Sequence, residues 1–326
     1  MTKFIRRLQK IGSSILVTLP KEWVDANKLD KSSQVELETG QDSLSISVNK
    51  DNRPSKEVVI SYPLPKDENI VADITGAYLL GYDIIRIQGK KSIPIEDREK
   101  IRTSMRRLVG MEIIDEDATN VNVQFLLDAT TLQPDKILKR ISSLALGMYN
   151  DVVEGLILDD KSNLLTLSNR DIEVNRQYFL LVRLIRSTMI DVRLAGAFSL
   201  ENIDILDYRV AANLLENAAD TIVELGNLIA NTSLPHNDLK QLYELAKDFE
   251  PIAIKSIDAF TENNRTLAIQ AISEHSKYQE KISKFRTNLE KKKQVPIDYL
   301  DLIYMFERIT KSWDDVVDLV KPIYTK

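Results

Sequence analysis

From Pro134 onward the apolar residues recur at spacings of three and four, the period of an amphipathic helix. Ile137, Ile141, Leu144, Met148 and Val152 form the first stripe, and Leu167, Val174, Tyr178, Leu181 and Ile185 the second. Leu215, Ala218, Ile222, Leu225 and Ile229 follow, then Leu242, Leu245, Phe249 and Ile252. The last two stripes are Ile272, His275, Tyr278, Ile282, Phe285 and Leu289, and Leu302, Phe306, Ile309, Trp313, Val316 and Val320. These predict six helices near 134–159, 163–193, 204–231, 237–261, 265–293 and 297–320, with breakers such as Pro235, Asn263-Asn264 and Pro296 between them. Six helices divide into two sets of three, which predicts a duplicated three-helix bundle at 133–232 and 236–322. Only ten Gly and ten Pro stand in 326 residues, too few turn residues for an all-β chain.

The N-terminal part has a different period. Ile15, Val17 and Leu19 alternate, Pro20 opens a short helix through Val24, and Val35–Glu38 and Leu44–Val48 alternate across a Gly40-Gln41-Asp42 turn. Strand, strand, short helix, strand, strand fills a domain at 1–52. So small a unit buries too little surface alone and predicts a homodimer. Asp51–Ser55 reads as a polar linker. A small α/β connector is predicted at 56–130, with helices over Asp67–Leu80 and Pro94–Leu108 and strands over Ile84–Ile87, Met111–Ile114 and Val121–Leu127.

Net charge is −5, which excludes a protein that coats nucleic acid with uniform positive charge. Yet residues 1–21 carry Lys3, Arg6, Arg7, Lys10 and Lys21 and no acid. The run Arg6-Arg7-Leu8-Gln9-Lys10-Ile11-Gly12-Ser13-Ser14, followed by Val17-Thr18-Leu19-Pro20-Lys21, resembles the AbrB-like (SpoVT/AbrB) swapped-hairpin family over about residues 3–49. The resemblance implies two chains intertwined in one β-barrel and DNA contact by Arg6, Arg7, Lys10, Ser13, Ser14 and Lys21. Clustered cations neutralise phosphates, and the serine hydroxyls donate to them. The competing reading is a dimerisation module with a solvated basic face.

The helical region resembles the PhoU family of phosphate-uptake regulators over about residues 133–322, and Gly110-Met111-Glu112-Ile113-Ile114 is similar to the linker of members with an AbrB-like domain in front. The implied fold is α+β and multidomain: swapped-hairpin β-barrel, α/β connector, then all-α tandem three-helix bundles. The implied protein regulates phosphate uptake as a DNA-binding transcriptional regulator; its partners are DNA, a phosphate ABC-transporter ATPase or a sensor kinase. The family resemblance also implies iron or zinc held by carboxylates four residues apart. Arg170-Asp171-Ile172-Glu173-Val174-Asn175 and Leu215-Glu216-Asn217-Ala218-Ala219-Asp220 match its phrases, giving Asp171, Asn175, Glu216 and Asp220 as ligands, with Asn175 where the family has Asp. An i, i+4 pair shares one helical face, which supplies the oxygen donors that hard cations take. In the second bundle His275 and Gln279 face Glu307 and Lys311, and a Lys ammonium predicts an empty site, with Lys311 free to pair with Glu307 instead. The competing readings are a solvated Glu216/Asp220 pair and a packed core His275.

Cysteine is absent, so disulfides, zinc–thiolate sites, iron–sulfur clusters and cysteine nucleophiles are excluded. His236 and His275 sit in no catalytic motif, and there is no Gly-rich phosphate loop or nucleophile elbow, so no enzyme is predicted. Arg98, Lys100, Arg102, Arg106 and Arg107 form a basic helix, read either as a second nucleic-acid surface or as a solvated face balanced by Glu96, Asp97 and Glu99. No apolar run approaches about 20 residues, since Arg183 interrupts Tyr178–Ile185, and a cytoplasmic protein without membrane insertion is predicted.

Overall fold

The computed structural model describes residues 4–39, 44–48, 55–291 and 294–320. The chain divides into two compact units, Met1–Pro54 and Ser55–Lys326.

In the first unit β1 (Gln9–Ile11) and β2 (Ser14–Leu16) pair antiparallel, α1 (Lys21–Ala26) follows, and β3 (Val35–Thr39) pairs antiparallel with β4 (Leu44–Val48). The predicted order of elements is therefore present, and the Gly40-Gln41-Asp42 turn lies outside the described residues. Ile11 opposes Ser14, leaving Gly12-Ser13 as a two-residue turn, with Gly12 at φ +62°. A positive φ at the first turn position alone is the type II′ hairpin geometry that selects Gly there.

The second unit begins with a sheet. β5 (Glu57–Tyr62), α2 (Ile70–Leu79), β6 (Ile84–Gly89), α3 (Ile95–Arg107), β7 (Met111–Glu116) and β8 (Asn120–Phe125) run in chain order, and the strands lie in the order β5-β6-β8-β7. β5 and β6 are parallel across α2, and β8 is antiparallel to β6 and β7. Ile85, Ile87, Val121, Val123 and Phe125 turn to the core side by the two-residue alternation of strands. β5 is absent from the sequence prediction. Its Val58, Ile60 and Tyr62 pack on the core while Glu57, Val59 and Ser61 face solvent.

The helical region is α4 (Pro134–Gly155), α5 (Leu167–Thr188), α6 (Val192–Ala197), α7 (Asn202–Asn231), α8 (His236–Ala246), α9 (Glu250–Thr261), α10 (Arg265–Glu290) and α11 (Ile297–Asp318). The helix predicted over 237–261 is two helices. Pro251 lacks an N–H and sits in the first turn of α9, where that loss costs nothing, and the chain breaks just before it. The helix predicted over 163–193 starts as a 3₁₀ turn, Ser162–Thr166, and stops at Thr188. α7 packs along α4, α5 and α11, and α4 also meets α9. One buried cluster runs from Ile74 and Ile85 of the sheet module through Leu146 and Ile222 to Phe306 and Trp313, so the connector and both helical sets share a core. Trp313 Nε1 donates to Ser142 Oγ at 3.0 Å, and Tyr149 Oη to the Ala246 carbonyl at 3.0 Å, tying the two helical sets together through satisfied polar groups.

Arg183 joins the sheet module to α5. It is 3% exposed, donates to the Tyr78 and Tyr82 carbonyls at 2.8 Å each and to Asp83 Oδ1 at 3.0 Å, and lies over the Phe125 ring at 4.0 Å. The charge that interrupts the Tyr178–Ile185 run is thus a buried clamp.

Candidate nucleic-acid interface and acidic site

The described apolar side chains of the first unit are all exposed or half-buried. Ile5, Leu8 and Ile15 are 86%, 71% and 68% exposed, and Ile11, Leu37 and Leu44 are also open. Covering six such side chains is worth on the order of 10 kcal/mol. A single chain leaves that energy unused, so the apolar surface of this unit calls for a covering partner.

The sequence-predicted DNA residues share this open surface. Arg6, Arg7, Lys10, Ser13, Ser14 and Lys21 are all exposed. The hairpin sets Lys10 opposite Ile15 and brings Ser13 and Ser14 to the turn, while Lys21 opens α1. Among the described residues no acid forms an ion pair with Arg6, Arg7, Lys10 or Lys21. Arg6 lies over the Phe4 ring at 5.5 Å, and its Nη1 donates to the Ile5 carbonyl at 3.4 Å. Unpaired, solvent-facing cations beside a tight Gly-Ser-Ser turn supply phosphate neutralisation and hydroxyl donors from one short segment.

The basic helix α3 differs. Arg98 pairs with Glu116 and donates to the Asp117 and Ala118 carbonyls, Arg102 reaches Glu116 at 3.2 Å, and Lys100 reaches Asp97 at 2.8 Å. Three of its five cations are therefore tied down within the module, chiefly by Glu116 on β7 rather than by the helix's own acids. Arg106 and Arg107 stay exposed.

In the helical region Asp171 and Asn175 lie on α5 and Glu216 and Asp220 on α7, which packs along it, and the three carboxylates are near enough to act on one another's charge. Burial, with Asp220 nearby, raises the Asp171 carboxyl to about 6. Burial raises Glu216 too, with Asp220 and Asp171 adding repulsion, and burial with Glu224 raises Asp220. Asp171 Oδ1 is buried and has no hydrogen-bond partner among the described residues. The Asn175 amide donates to Asp171 Oδ2 at 2.7 Å, so it faces that carboxylate as a donor and not as an oxygen ligand. Among the described residues no group of three or more His, Asp or Glu side chains is arranged to hold a metal ion. The donor types suit a cation, but their present arrangement is not a cage.

The second acidic position is rebuilt. Lys311 pairs with Asp314 and Asp315 at 2.9 Å each, and Glu307 with Arg286 at 2.8 Å, so the predicted Lys311–Glu307 pair does not form. His275 is a buried core histidine, with Nε2 2.9 Å from Ser256 Oγ. Gln279 lies by Thr310 at 3.5 Å.

A sequence model of the antidote-toxin recognition family MazE, a bacterial antitoxin family, matches residues 8–53. No curated protein and no solved structure matches the chain. Among the described residues no helix is long and apolar enough to cross a membrane. Residues 8–53 thus carry a MazE/AbrB-like domain of the kind found in DNA-binding regulators and antitoxins, on an α+β chain whose remainder is mostly helical.

Proposed function

We propose that the protein is a homodimeric, non-catalytic DNA-binding regulator. Two N-terminal units pair, and Arg6, Arg7, Lys10, Ser13, Ser14 and Lys21 contact DNA. The observation that carries this reading is a single unit: residues 8–53 match a MazE-type domain and bury none of their described apolar side chains, and Arg6 and Arg7 just before it, with Lys10 and Lys21 inside it, form no ion pair among the described residues. The helical region is the sensing or partner-binding part. Its assignment to phosphate uptake rests on the sequence resemblance to the PhoU family, as does an iron or zinc ion at Asp171, Asn175, Glu216 and Asp220, which requires the Asn175 amide to turn. Recovery of genomic fragments bound by the full chain tests the reading: enrichment of one sequence class supports a regulator, and enrichment beside phosphate-transport genes supports the pathway.

The second reading is a dimeric adaptor whose helices dock on a transporter ATPase or sensor kinase. The pairing of Arg98, Lys100 and Arg102 inside the sheet module, which reduces the positive charge α3 offers to nucleic acid, favours it. Absence of any enriched fragment, with the dimer intact, selects this reading.

A further inference from the structure

The sheet of the second unit has two edges that are treated differently. β7 carries Glu112, Asp115 and Glu116 and a register shift between Ile113 and Asp115. Charge and a bulge are how sheets blunt an edge against pairing. β5, Glu57-Val58-Val59-Ile60-Ser61-Tyr62, has neither Pro, Lys nor bulge, and it runs through six unshifted pairs with β6. Val59 is 48% exposed. Pro63 closes the strand directly after Tyr62.

Hydrogen bonding fixes which backbone groups face outward. The Lys56 carbonyl accepts from Ile84 N at 3.1 Å and the Tyr62 carbonyl from Lys90 N at 3.1 Å, both on the β6 side. In a parallel pair alternate residues bond the neighbour. Lys56, Val58, Ile60 and Tyr62 therefore serve β6, and Glu57, Val59 and Ser61 direct their N–H and C=O groups to the open edge.

We propose that this edge pairs antiparallel with β5 of a second copy of the chain, about a two-fold axis through Val59. That register sets Val59 against Val59 and Glu57 against Ser61, and every outward group finds a partner: six N–H···O=C bonds. No like charges stand opposite each other, and Val58 meets Ile60 on the helix side. A one-residue slip fails because it presents residues already bonded to β6. The axis stands normal to the sheet, so the joined eight strands keep α2 and α3 of both copies on one side. The choice of a second copy as occupant rests on the proposed pairing of the N-terminal units. β4 ends at Val48 and β5 starts at Glu57, and the intervening residues 49–56 span at most about 28 Å. Once the N-terminal units pair, the two β5 strands are held at an effective concentration on the order of millimolar.

The chain has no cysteine, so Val59→Cys introduces a single thiol. The proposed register puts two such Cα atoms about 5.5 Å apart, inside the disulfide range. Ser61→Cys puts its two copies about 14 Å apart. Full-length Val59→Cys under mild oxidation is expected to give at least fivefold more disulfide-linked dimer than Ser61→Cys, with light scattering still reporting two chains. Equal or absent cross-linking in a two-chain particle overturns the β5 pairing and leaves the N-terminal reading standing. A one-chain mass overturns the N-terminal reading, and cross-linked particles of four chains or more overturn the tethered form. Val59→Pro removes one outward N–H and none of the bonds to β6, so it serves as the folded control: circular dichroism should be unchanged. In the Val59→Pro background, with Ser61→Cys as the thiol, cross-linking should not rise.

Discussion

Replacing Arg183 by Met removes the clamp between the sheet module and α5 while keeping most of the side-chain volume. The guanidinium makes three charge-assisted hydrogen bonds, at 2.8, 2.8 and 3.0 Å, and stacks over Phe125 at 4.0 Å and Tyr78 at 5.0 Å. Its loss leaves the Tyr78 and Tyr82 carbonyls short of a donor and Asp83 without its cation, although Asp83 Oδ2 still accepts from Lys56 N at 2.8 Å. Breaking a buried charged pair costs about 3–5 kcal/mol. The cation–π contacts fall within the same loss, and we expect a destabilisation of about 4 kcal/mol, equivalent to a Tm lowered by roughly 8–16 °C in a unit of this size. The chain has two tryptophans, Trp23 and the buried Trp313. A Trp23→Phe background makes urea unfolding, followed by fluorescence, report the second unit alone. A double-mutant cycle with Asp83→Asn should show coupling of about 2 kcal/mol. A loss below about 1 kcal/mol, or no coupling, would refute the clamp.

Asp171 has its carboxyl raised from 3.8 to about 6 by burial and Asp220. A raised carboxyl contributes stability at pH below 4 that is lost as pH rises through 6, so its ionised form is a burden at pH 7. The shift corresponds to about 3 kcal/mol, reduced to about 1 kcal/mol because the group is half in solvent. Asp171→Asn should therefore stabilise the metal-free chain by about 1 kcal/mol at pH 7 and by nothing at pH 4. Under the metal proposal, iron or zinc should stabilise the wild type at pH 7 and leave Glu216→Ala/Asp220→Ala unaffected; equal effects on both proteins place the binding elsewhere. His275 is 1% exposed, and its titration is lowered by burial, with Lys311 adding repulsion against the attraction of Asp314, Glu274 and Asp315. Ser256 Oγ donates to the Ile252 carbonyl, so His275 Nε2–H donates to Ser256 and Nδ1 has no acceptor for a second proton. A lowered histidine contributes stability above about pH 6.5 that is lost as pH falls. Unfolding curves should show stability falling below about pH 6.5 more steeply in the wild type than in His275→Gln.

The helical stripes were legible because long amphipathic helices repeat their signal. Ile137, Ile141, Met148 and Val152 are all buried as predicted. Ile272 is not: it is exposed, and the small Ala268 and Ala271 occupy the inner face of α10. Alanine carries little hydrophobic signal, so at this one turn the bulkier neighbour was read into a stripe whose later members His275, Tyr278, Ile282 and Leu289 are buried. β5 was missed because its Val58-Val59-Ile60 run is short and follows a polar linker, although the β-branched residues were the available signal. The break between α8 and α9 was marked by Pro251, which the apolar stripe outweighed. At the acidic site the i, i+4 spacing put Asp171 with Asn175 and Glu216 with Asp220, each pair on one face of its own helix, and the family resemblance joined the two pairs. It did not show that Asn175 donates to Asp171, or that Lys311 would turn from Glu307 to Asp314 and Asp315. Spacing fixes the face of a helix; hydrogen-bond direction and choice among nearby acids depend on neighbours far away in sequence. Arg183 was visible as a charge in an apolar run, but its partners lie about 100 residues earlier.

If the N-terminal unit binds DNA through Arg6, Arg7 and Lys10, the affinity of the full chain for duplex DNA must fall steeply with salt. Each phosphate neutralised contributes about 0.9 to the slope of log K against log salt. Replacing the three residues by Ala removes six cations from a dimer. The slope should flatten by about 5, affinity should fall on every sequence, and light scattering should still report two chains. No DNA binding by the wild type, or an unchanged slope and affinity in the triple variant, would contradict the account.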